Sequence, residues 1–391
     1  MSLRVLHVIP AIAPRYGGPS AAIVPLCRSL AELGAEPLVA TTDADGSRRL
    51  PVSLGQPTTW SGIPAIFFQK RFSESYKYSP SLASWLSAHV CDFDIVHIHA
   101  VLSHACLAAA AECIRHDVPY IVRPLGTLVP WSLGQRPFRK RLLLAIRGRT
   151  VLERASAIHY TSPEEKHLVE TTLGLSAGFV VPLGVEPDLL ELVIDDAQRE
   201  RDPCVLTMSR LHPKKNLEAV IDAFLDASLD CRSSWRLVIA GTGDPDYVAS
   251  LRRRVDERQA SSRVSFVGWV EGDAKLALMR SASVMMLCSK HENFGLAALE
   301  AMAVGVPVVL SREVDLSTEV QRAGAGWISD NLDESLRAAL ADAIGNSESR
   351  RSRSRAAREF ARSFTWPVIG SQLIRRYSDV LLARTPTGSF A

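Results

Sequence analysis

Two glutamates, Glu292 and Glu300, bracket seven residues after a short apolar run, Val284–Leu287. We expect the first in the loop after that strand and the second about one turn into a helix that starts near Gly295. The N-terminus of a helix offers free N–H groups and a positive dipole end, which suits a phosphate. Glutamates beside it can accept hydrogen bonds from sugar hydroxyls. The alternative is that one glutamate merely lies at the start of a helix and the other is exposed to solvent. The surrounding Phe-Gly and Gly-Val-Pro-Val stretches disfavour this alternative.

A basic turn follows a second strand-like run, Cys204–Met208. Arg210 and Lys215 flank this strand-to-helix turn, so both can converge on one diphosphate. Arginine can bind two oxygens at once, while lysine acts as a point charge. Lys214 is a rival for the lysine role. An exposed basic turn without a ligand is the alternative.

Two further motifs follow strands in the first half of the chain. Gly17 and Gly18 come after the first predicted strand, where glycine lets the backbone approach a ligand and adopt positive φ. His97 and His99 share one face of another strand, with His99 nearer its carboxyl end. A zinc pair is conceivable, but no third ligand has convincing spacing. His97 is interpreted as a core histidine, and His104 is a weaker candidate than His99 for contact with a bound substrate.

Short β-branched runs alternate with segments of helical period along the whole chain, which predicts an α/β fold with parallel sheets covered by helices. The strands are too many for one compact sheet. The acidic and mixed-charge segment 184–203 is the best place for a break. We therefore predict two Rossmann-like doubly wound domains.

Composition excludes several classes of protein. The 391 residues are 47% hydrophobic and 22% charged, which disfavours long-range disorder, and no apolar run is long enough for a transmembrane helix. The net charge of +3 is too weak a bias to argue for nucleic acid as the partner. The seven cysteines are scattered without CxxC pairs, which fits buried thiols in a reducing cytoplasm.

Together the motifs resemble those of retaining glycosyltransferase family 4, enzymes of the two-domain GT-B fold, over nearly the whole chain. The resemblance implies that Glu292 contacts the donor sugar and Glu300 the nucleotide ribose. It assigns leaving-group stabilisation to Arg210 and Lys215, and sugar contact to His99. The remaining donor-binding positions that it implies are Gly17, Gly18, Trp269, Phe294, Gly295 and Leu296.

The resemblance also implies domain boundaries. An N-terminal acceptor-side domain is expected over 1–184, a linker over 185–202 and a nucleotide-sugar-binding domain over 203–364, with the two domains facing a central cleft. The C-terminal helix within 365–391 is expected to cross back onto the first domain.

The function implied is transfer of a hexosyl group from a UDP- or GDP-sugar to a hydroxyl acceptor, with retention at the anomeric carbon and no metal or other cofactor. Alternatives are a nucleotide-sugar epimerase of the same fold, an NAD-dependent oxidoreductase, and a catalytically dead binding module. The oxidoreductase is disfavoured because Asp246 replaces the third glycine of a GxGxxG pattern begun by Gly241 and Gly243.

A basic and apolar stretch over 136–149 suggests where the acceptor lies. It holds six basic residues and no acidic one, interleaved with leucines and Ile146. One interpretation is a helix with Leu142, Leu143, Ala145 and Ile146 in the core. The other is a helix lying on an anionic membrane leaflet. The second leads us to expect a cytoplasmic enzyme, peripheral on the inner membrane, that elongates a lipid-linked glycan for cell-surface polysaccharide.

Overall fold

The computed structural model describes residues 2–72, 74–134, 142–176, 178–192, 202–228, 235–330 and 333–384. The chain divides into two compact units. Unit 1 comprises Met1–Gly184 and Trp366–Ala391, and unit 2 comprises Val185–Thr365. The segment predicted as a linker thus belongs to unit 2 from its first residue. Its described part forms a 3-10 turn, Pro187–Glu191, which the Arg358 guanidinium holds through the Leu190 carbonyl at 2.9 Å.

Unit 1 is built on an eight-stranded sheet with the order β10-β9-β8-β7-β1-β2-β6-β5, parallel except for the β5–β6 pair. A separate two-stranded sheet pairs β3 with β4. The strands are β1 (Arg4–Ala11), β2 (Glu36–Thr42), β3 (Ala44–Asp45), β4 (Arg48–Arg49), β5 (Pro57–Trp60), β6 (Ile63–Phe68), β7 (Ile95–His99), β8 (Tyr120–Arg123), β9 (Ala157–Tyr160) and β10 (Gly178–Val180).

The helices of unit 1 cover this sheet. They are α1 (Gly18–Glu32), α2 (Pro80–His89), α3 (His104–His116), α4 (Pro130–Gly134), α5 (Arg149–Glu153), α6 (Pro163–Leu173) and the last helix of the chain, α14 (Trp366–Leu382). Helix α14 packs on α1, where the Ser29 hydroxyl donates to the Trp366 carbonyl at 2.8 Å. Gly370 permits this contact, because a Cβ there would lie 2.4 Å from the Ser29 hydroxyl oxygen.

Unit 2 is built on a six-stranded parallel sheet with the order β13-β12-β11-β14-β15-β16. The strands are β11 (Cys204–Met208), β12 (Arg236–Ala240), β13 (Val264–Gly268), β14 (Val284–Leu287), β15 (Val308–Ser311) and β16 (Gly326–Ser329). The helices are α7 (Leu217–Ala227), α8 (Pro245–Glu257), α9 (Gly272–Ser281), α10 (Leu296–Ala303), α11 (Ser317–Ala323), α12 (Asp333–Gly345) and α13 (Ser347–Arg362).

The central strands are buried from end to end, as β7 and β11 illustrate. Strands of this kind are continuously apolar because helices cover both faces of a parallel sheet. No helix in the described ranges is both long enough and apolar enough to cross a membrane.

Gly241 and Gly243 have a structural role that replaces the dinucleotide interpretation. The loop after β11 runs against them, and Leu211 donates its N–H to the Thr242 carbonyl at 2.8 Å. A Cβ at Gly241 would lie 1.8 Å from the Ser209 carbonyl oxygen, and one at Gly243 would lie 1.9 Å from that of Leu211. The two glycines therefore let the turn that carries Arg210 approach β12.

Replacing Gly241 by alanine should destabilise unit 2. Its φ of +135° and the Ser209 carbonyl both exclude a side chain, so we expect a loss of about 2 kcal/mol or more in the free energy of unfolding. Urea unfolding measures the loss. The matched control is Gly345→Ala, since a Cβ there meets nothing within 4 Å. Equal midpoints for both variants would contradict the packing role.

Candidate active site

Strand order brings the two strongest motifs of unit 2 together. The chain builds β11, β12 and β13 outward in one direction and then returns to place β14 on the other side of β11. The point at which a doubly wound sheet reverses in this way is where open α/β sheets bind ligands, beyond the carboxyl ends of the strands. The turn with Arg210 follows β11, and the loop with Glu292 follows β14. Both therefore lie at this reversal point.

Contact between the motifs is direct, because the Lys215 ammonium donates to a carboxylate oxygen of Glu292. Both side chains are largely buried, with 14% and 21% of their surface exposed. Burial alone would raise the pKa of the Glu292 carboxyl, but the charges of Lys215 and Lys214 outweigh it and leave that pKa below its usual range. Glu292 is therefore an ionised acceptor at neutral pH.

Hydrogen bonds to the segment that follows β15 fix the backbone around Glu292. Its N–H donates to the Glu313 carbonyl at 2.8 Å, and its own carbonyl accepts from the Asp315 N–H at 3.0 Å. Gly295, with φ +92°, then starts α10, and a Cβ on it would lie 3.0 Å from Val314. The segment after β15 thus sets the position of the loop and the start of the helix.

A cluster of positive charge surrounds Glu292. The Lys214 carbonyl accepts from the Lys290 N–H at 2.8 Å, which ties the basic turn to the Glu292 loop. Burial lowers the pKa of His291 to about 4, helped by Lys214 and Lys215, so this imidazole is neutral at pH 7. Arg210 is exposed, and within the described residues its guanidinium makes no hydrogen bond or ion pair. The geometry leaves Arg210 free to bind an anion.

Glu300 has a partner that sequence reasoning missed. It is the fifth residue of α10, and its carboxylate accepts from the Lys275 ammonium of α9 at 2.6 Å. Trp269, just after β13, is 46% exposed, and its indole N–H donates to Glu271 at 3.1 Å. No sequence motif signals Lys275, because only the packing of α9 against the site brings it to Glu300.

The residues between the two glutamates contribute mainly main-chain groups to the candidate site. Phe294 is buried, with its ring 6.2 Å from that of Phe364. Leu296 is the first residue of α10, half-buried. The amide groups at the start of a helix lack intrahelical acceptors, which suits the predicted phosphate or sugar contact by Phe294, Gly295 and Leu296.

Unit 1 shows the same arrangement at its own reversal point, between β1 and β7. Gly17 and Gly18 follow β1, and His99 ends β7. Gly17 has φ +77° and ψ −146°, a conformation that favours glycine. A Cβ on Gly18 would meet nothing within 4 Å. The fold therefore leaves open space beside this loop, as a ligand-facing glycine requires.

His97 belongs to a row of buried side chains on one face of the sheet. His159 donates from Nε2 to the Val181 carbonyl at 2.7 Å, so its Nδ1 accepts from Nε2 of His97 at 3.2 Å. Nδ1 of His97 must then accept from the Tyr377 hydroxyl of α14 at 2.7 Å. Burial holds the pKa of His97 and His159 well below the usual range. Both nitrogens of His97 are engaged, which agrees with the core interpretation.

His99 stacks on His97 with ring centroids 4.4 Å apart and is itself only 2% exposed. Its Nε2 lies 3.0 Å from Nδ1 of His7, and burial keeps the pKa of both rings low, that of His7 at about 3. His99 is thus a neutral, nearly enclosed imidazole at the end of β7, and its sugar contact stays a prediction.

A third histidine, His7, lies beside His97 and His99. The sequence did not indicate it, because it belongs to β1, far from His97 in the chain. One nitrogen from each of His7, His97 and His99 lies within 4.8 Å of the others. Both nitrogens of His97 are occupied by hydrogen bonds, and the positive charge of buried Arg123 further lowers the pKa of His7. His7 thus completes a group of three potential metal ligands that the sequence did not show, and the expectation of no metal stays a prediction.

Two other sequence candidates have different surroundings. His104 accepts from the Ser79 N–H at 3.2 Å and packs its ring 4.5 Å from that of Tyr78, which is a structural role. In the stretch 136–149, residues 136–141 lie outside the described residues. Leu142 and Ile146 are 50% and 63% exposed, so the interpretation that buried both in the core is wrong.

Comparison with known proteins finds two family matches along the chain. The family described as glycosyl transferases group 1 matches residues 193–360, and the family described as glycosyl transferase 4-like domain matches residues 17–185. A D-inositol 3-phosphate glycosyltransferase of Jonesia denitrificans is 28% identical over 74% of this chain and 73% of that protein.

Two further similarities span almost the whole chain. A GDP-mannose:cellobiosyl-diphosphopolyprenol alpha-mannosyltransferase of Xanthomonas oryzae pv. oryzae is 24% identical over 97% of both chains. The structure of sucrose-phosphate synthase from Thermosynechococcus elongatus superposes with a TM-score of 0.78 at 20% identity, covering 97% of this chain and 100% of that one. The predicted fold is confirmed, and this chain belongs to the family 4 type of glycosyltransferases with the GT-B fold.

Proposed function

We propose that the protein is a retaining hexosyltransferase that uses a nucleotide diphosphate sugar, GDP-mannose in the first instance, and a hydroxyl of a lipid-linked glycan. The observation that carries this proposal is the meeting of Lys214 and Lys215 with Glu292 at the reversal point of the unit 2 sheet, with Arg210 near enough to Lys214 to lower its pKa. Cations there, beside the start of α10, match the charge of a diphosphate, and the carboxylate matches sugar hydroxyls.

The chemistry requires a leaving group whose charge is stabilised as it forms. The bond from the anomeric carbon to the diphosphate oxygen breaks, and the sugar passes through an oxocarbenium-like state. Arg210, Lys215 and the start of α10 stabilise the negative charge that develops on the nucleoside diphosphate. The acceptor oxygen then bonds to the anomeric carbon and its proton is released. These side chains supply the positive potential without a metal ion.

The donor and the acceptor class are argued from the relatives. The Xanthomonas relative is named for GDP-mannose and a diphosphopolyprenol-linked acceptor, and we extend both to this chain, with UDP-glucose as the alternative donor. A thermal-shift screen of GDP, UDP and their sugars tests the donor, since a ligand at 100 times its Kd stabilises by roughly 2.7 kcal/mol. NMR of the product then tests retention through the anomeric configuration.

Incubation of the nucleotide sugar without an acceptor, and with a nicotinamide cofactor, separates the alternative functions. An epimerase would convert the nucleotide sugar without any acceptor, and an oxidoreductase would change the absorbance at 340 nm. We favour neither, because Gly241 and Gly243 serve packing and both family matches describe glycosyl transferases.

Membrane contact through 136–149 is part of this proposal. Leu142 and Ile146 lie four residues apart and are exposed, and Arg147 beside them is exposed as well. Exposed apolar side chains next to basic ones suit the boundary of an anionic leaflet. We therefore propose a cytoplasmic enzyme that is peripheral on the inner membrane and acts in cell-surface polysaccharide synthesis.

Lys215→Ala should lower kcat by about two to three orders of magnitude, the effect of removing a fixed donor to developing charge. Steady-state assays with GDP-mannose and a polyprenyl-diphosphate glycan measure it. Lys166→Ala, in α6 of the other unit, is the control that should retain activity. A larger loss in Lys214→Ala than in Lys215→Ala would transfer the leaving-group role to Lys214.

The same assay tests independence from metals. Activity should survive EDTA, because the cations that stabilise the leaving group are side chains. Complete loss with EDTA that Mn²⁺ restores would contradict this part of the proposal.

Substitutions at the two glutamates should have different effects. Glu292→Gln removes the negative charge of the acceptor proposed for the sugar, so turnover should fall while the nucleoside diphosphate still binds. Glu300→Ala removes the proposed ribose contact, so calorimetry should show weaker binding of the nucleoside diphosphate itself. Wild-type affinity for that nucleotide in both variants would mean that the ribose assignment is wrong.

Replacing the exposed apolar pair should weaken membrane binding. We expect the Leu142→Ser, Ile146→Ser variant to sediment less with anionic liposomes than the wild type, and the wild type to be released by high salt because charge attraction is screened. The control is Leu382→Ser, another exposed leucine of unit 1. Equal wild-type binding to neutral liposomes, or none to anionic ones, would remove the membrane proposal and leave the transferase proposal intact.

A further inference from the structure

The two residues before Gly17 are held by side chains from distant parts of unit 1. The Tyr16 hydroxyl donates to the Glu74 carboxylate and accepts from the Gly46 N–H at 2.8 Å. The Arg15 guanidinium donates to the Asp45 carbonyl at 3.0 Å. It lies so close over Gly46 that a Cβ there would be 2.3 Å away from it. The start of the glycine loop is thus tied to the turn between β3 and β4 and to the segment around Glu74.

Glu74 is the centre of this network. Lys70 donates from its ammonium to the Glu74 carboxylate and to the Gly46 carbonyl, the latter at 2.9 Å. Lys77 donates to the Glu74 carbonyl at 2.9 Å and lies over the Tyr16 ring, 4.5 Å from its centroid. The side chains of both lysines are mostly buried, at 10% and 13% exposure. Lys77 also forms an ion pair with the Glu74 carboxylate at 3.4 Å, so this one carboxylate contacts two cations and the tyrosine.

The ionisation states fix the direction of these bonds. Burial raises the pKa of Tyr16 to about 12, and the bond to Glu74 adds to that rise. Burial would raise the pKa of Glu74 too, but Lys70, Tyr16 and Lys77 outweigh it and lower that pKa. At neutral pH Tyr16 is accordingly a protonated donor and Glu74 an ionised acceptor, which makes the bond charge-assisted and strong.

The main chain of the loop needs such support. Tyr16 ends the 3-10 turn Pro14–Tyr16, and Gly17 then adopts φ +77° before α1 begins at Gly18. Glycine has the largest conformational freedom of any residue, so two in succession define no shape by themselves. Fixed groups at Tyr16 on one side and α1 on the other restrict what Gly17 can adopt.

We propose that Tyr16 and Glu74, with Lys70, are positioning residues that hold the Gly17–Gly18 loop in the shape that receives the donor. This inference rests on the proposed function and on the resemblance that makes Gly17 and Gly18 donor-binding positions. Tyr16 and Glu74 act through the loop and need not touch the sugar nucleotide. Their loss should therefore reduce kcat while leaving the affinity for the bare nucleoside diphosphate, which the unit 2 residues bind, unchanged.

The test compares Tyr16→Phe, Glu74→Gln and their double variant with Tyr247→Phe. Tyr247 is the matched control, because its hydroxyl also donates to a glutamate, Glu218 at 2.9 Å, but within unit 2. Hydrogen–deuterium exchange of peptides covering 13–21 reports the shape of the loop without any activity. Kinetics with GDP-mannose report the kcat and KM, and calorimetry reports the affinity for GDP.

We expect faster exchange over 13–21 in both single variants, with kcat lowered about 10- to 100-fold, the effect of a misplacement near 1 Å. The double variant should lose little more than either single one, since Tyr16→Phe removes the charge-assisted bond that Glu74→Gln weakens. Lys70→Met removes a different hydrogen bond to Glu74 and should have the same effects on exchange and kcat. It replaces Tyr16→Phe in the test if that variant fails to fold.

Wild-type exchange in Glu74→Gln and Tyr16→Phe would overturn the proposal, as would equal loss in Tyr247→Phe. A wild-type protein that transfers no sugar would instead contradict the proposed function. In that case the exchange data would still decide whether Tyr16 and Glu74 hold the loop.

Discussion

The order of strands in the two sheets is the constraint on which the candidate site depends. In unit 2 the chain reverses between β11 and β14, and in unit 1 between β1 and β7. At each reversal the loops after two adjacent strands leave the sheet in opposite directions and open a space at its carboxyl edge. The basic turn and the Glu292 loop occupy that space in unit 2, and the glycine loop and His99 occupy it in unit 1.

The side chains at the two reversal points differ in charge. In unit 1 the histidines are buried and neutral, and their tautomers are fixed by a chain that runs from Tyr377 through His97 and His159 to the Val181 carbonyl. A neutral, oriented row of this kind can offer hydrogen bonds without attracting a diphosphate. In unit 2 the side chains are charged, and their positive charge is only partly neutralised. An anion therefore binds more favourably there.

Much of this architecture could be predicted from sequence, and the reason differs between elements. Cys204–Met208 and Val284–Leu287 were expected at their observed bounds because fully buried parallel strands are uninterrupted apolar runs. The C-terminal helix was predicted within 365–391 to join the first domain, and α14 spans Trp366–Leu382 as part of unit 1. Strands β5 and β6 were missed, since their antiparallel pairing at the sheet edge departs from the alternation of strand and helix.

Individual side-chain partners were beyond the sequence because they depend on strand order and helix packing. Lys275 reaches Glu300 across 25 positions, His7 reaches His99 across 92, and Tyr377 reaches His97 across 280. No local pattern marks such pairs, and each becomes visible only when two elements are placed side by side. The motifs indicate which residues carry the chemistry, whereas packing decides which groups hold them.

The ion pair between Lys215 and Glu292 shows why holding these groups matters for catalysis. Lys214 and Lys215 lie near the Glu292 carboxylate, Arg210 and Asp315 lie near Lys214, and His291 is neutral. The site therefore has excess positive charge that its own carboxylates do not neutralise. Because Glu292 already orients Lys215 in the free protein, the proposed binding of a diphosphate would require little reorganisation. Charge placed in advance of the reaction stabilises the leaving group more than charge that must first be ordered.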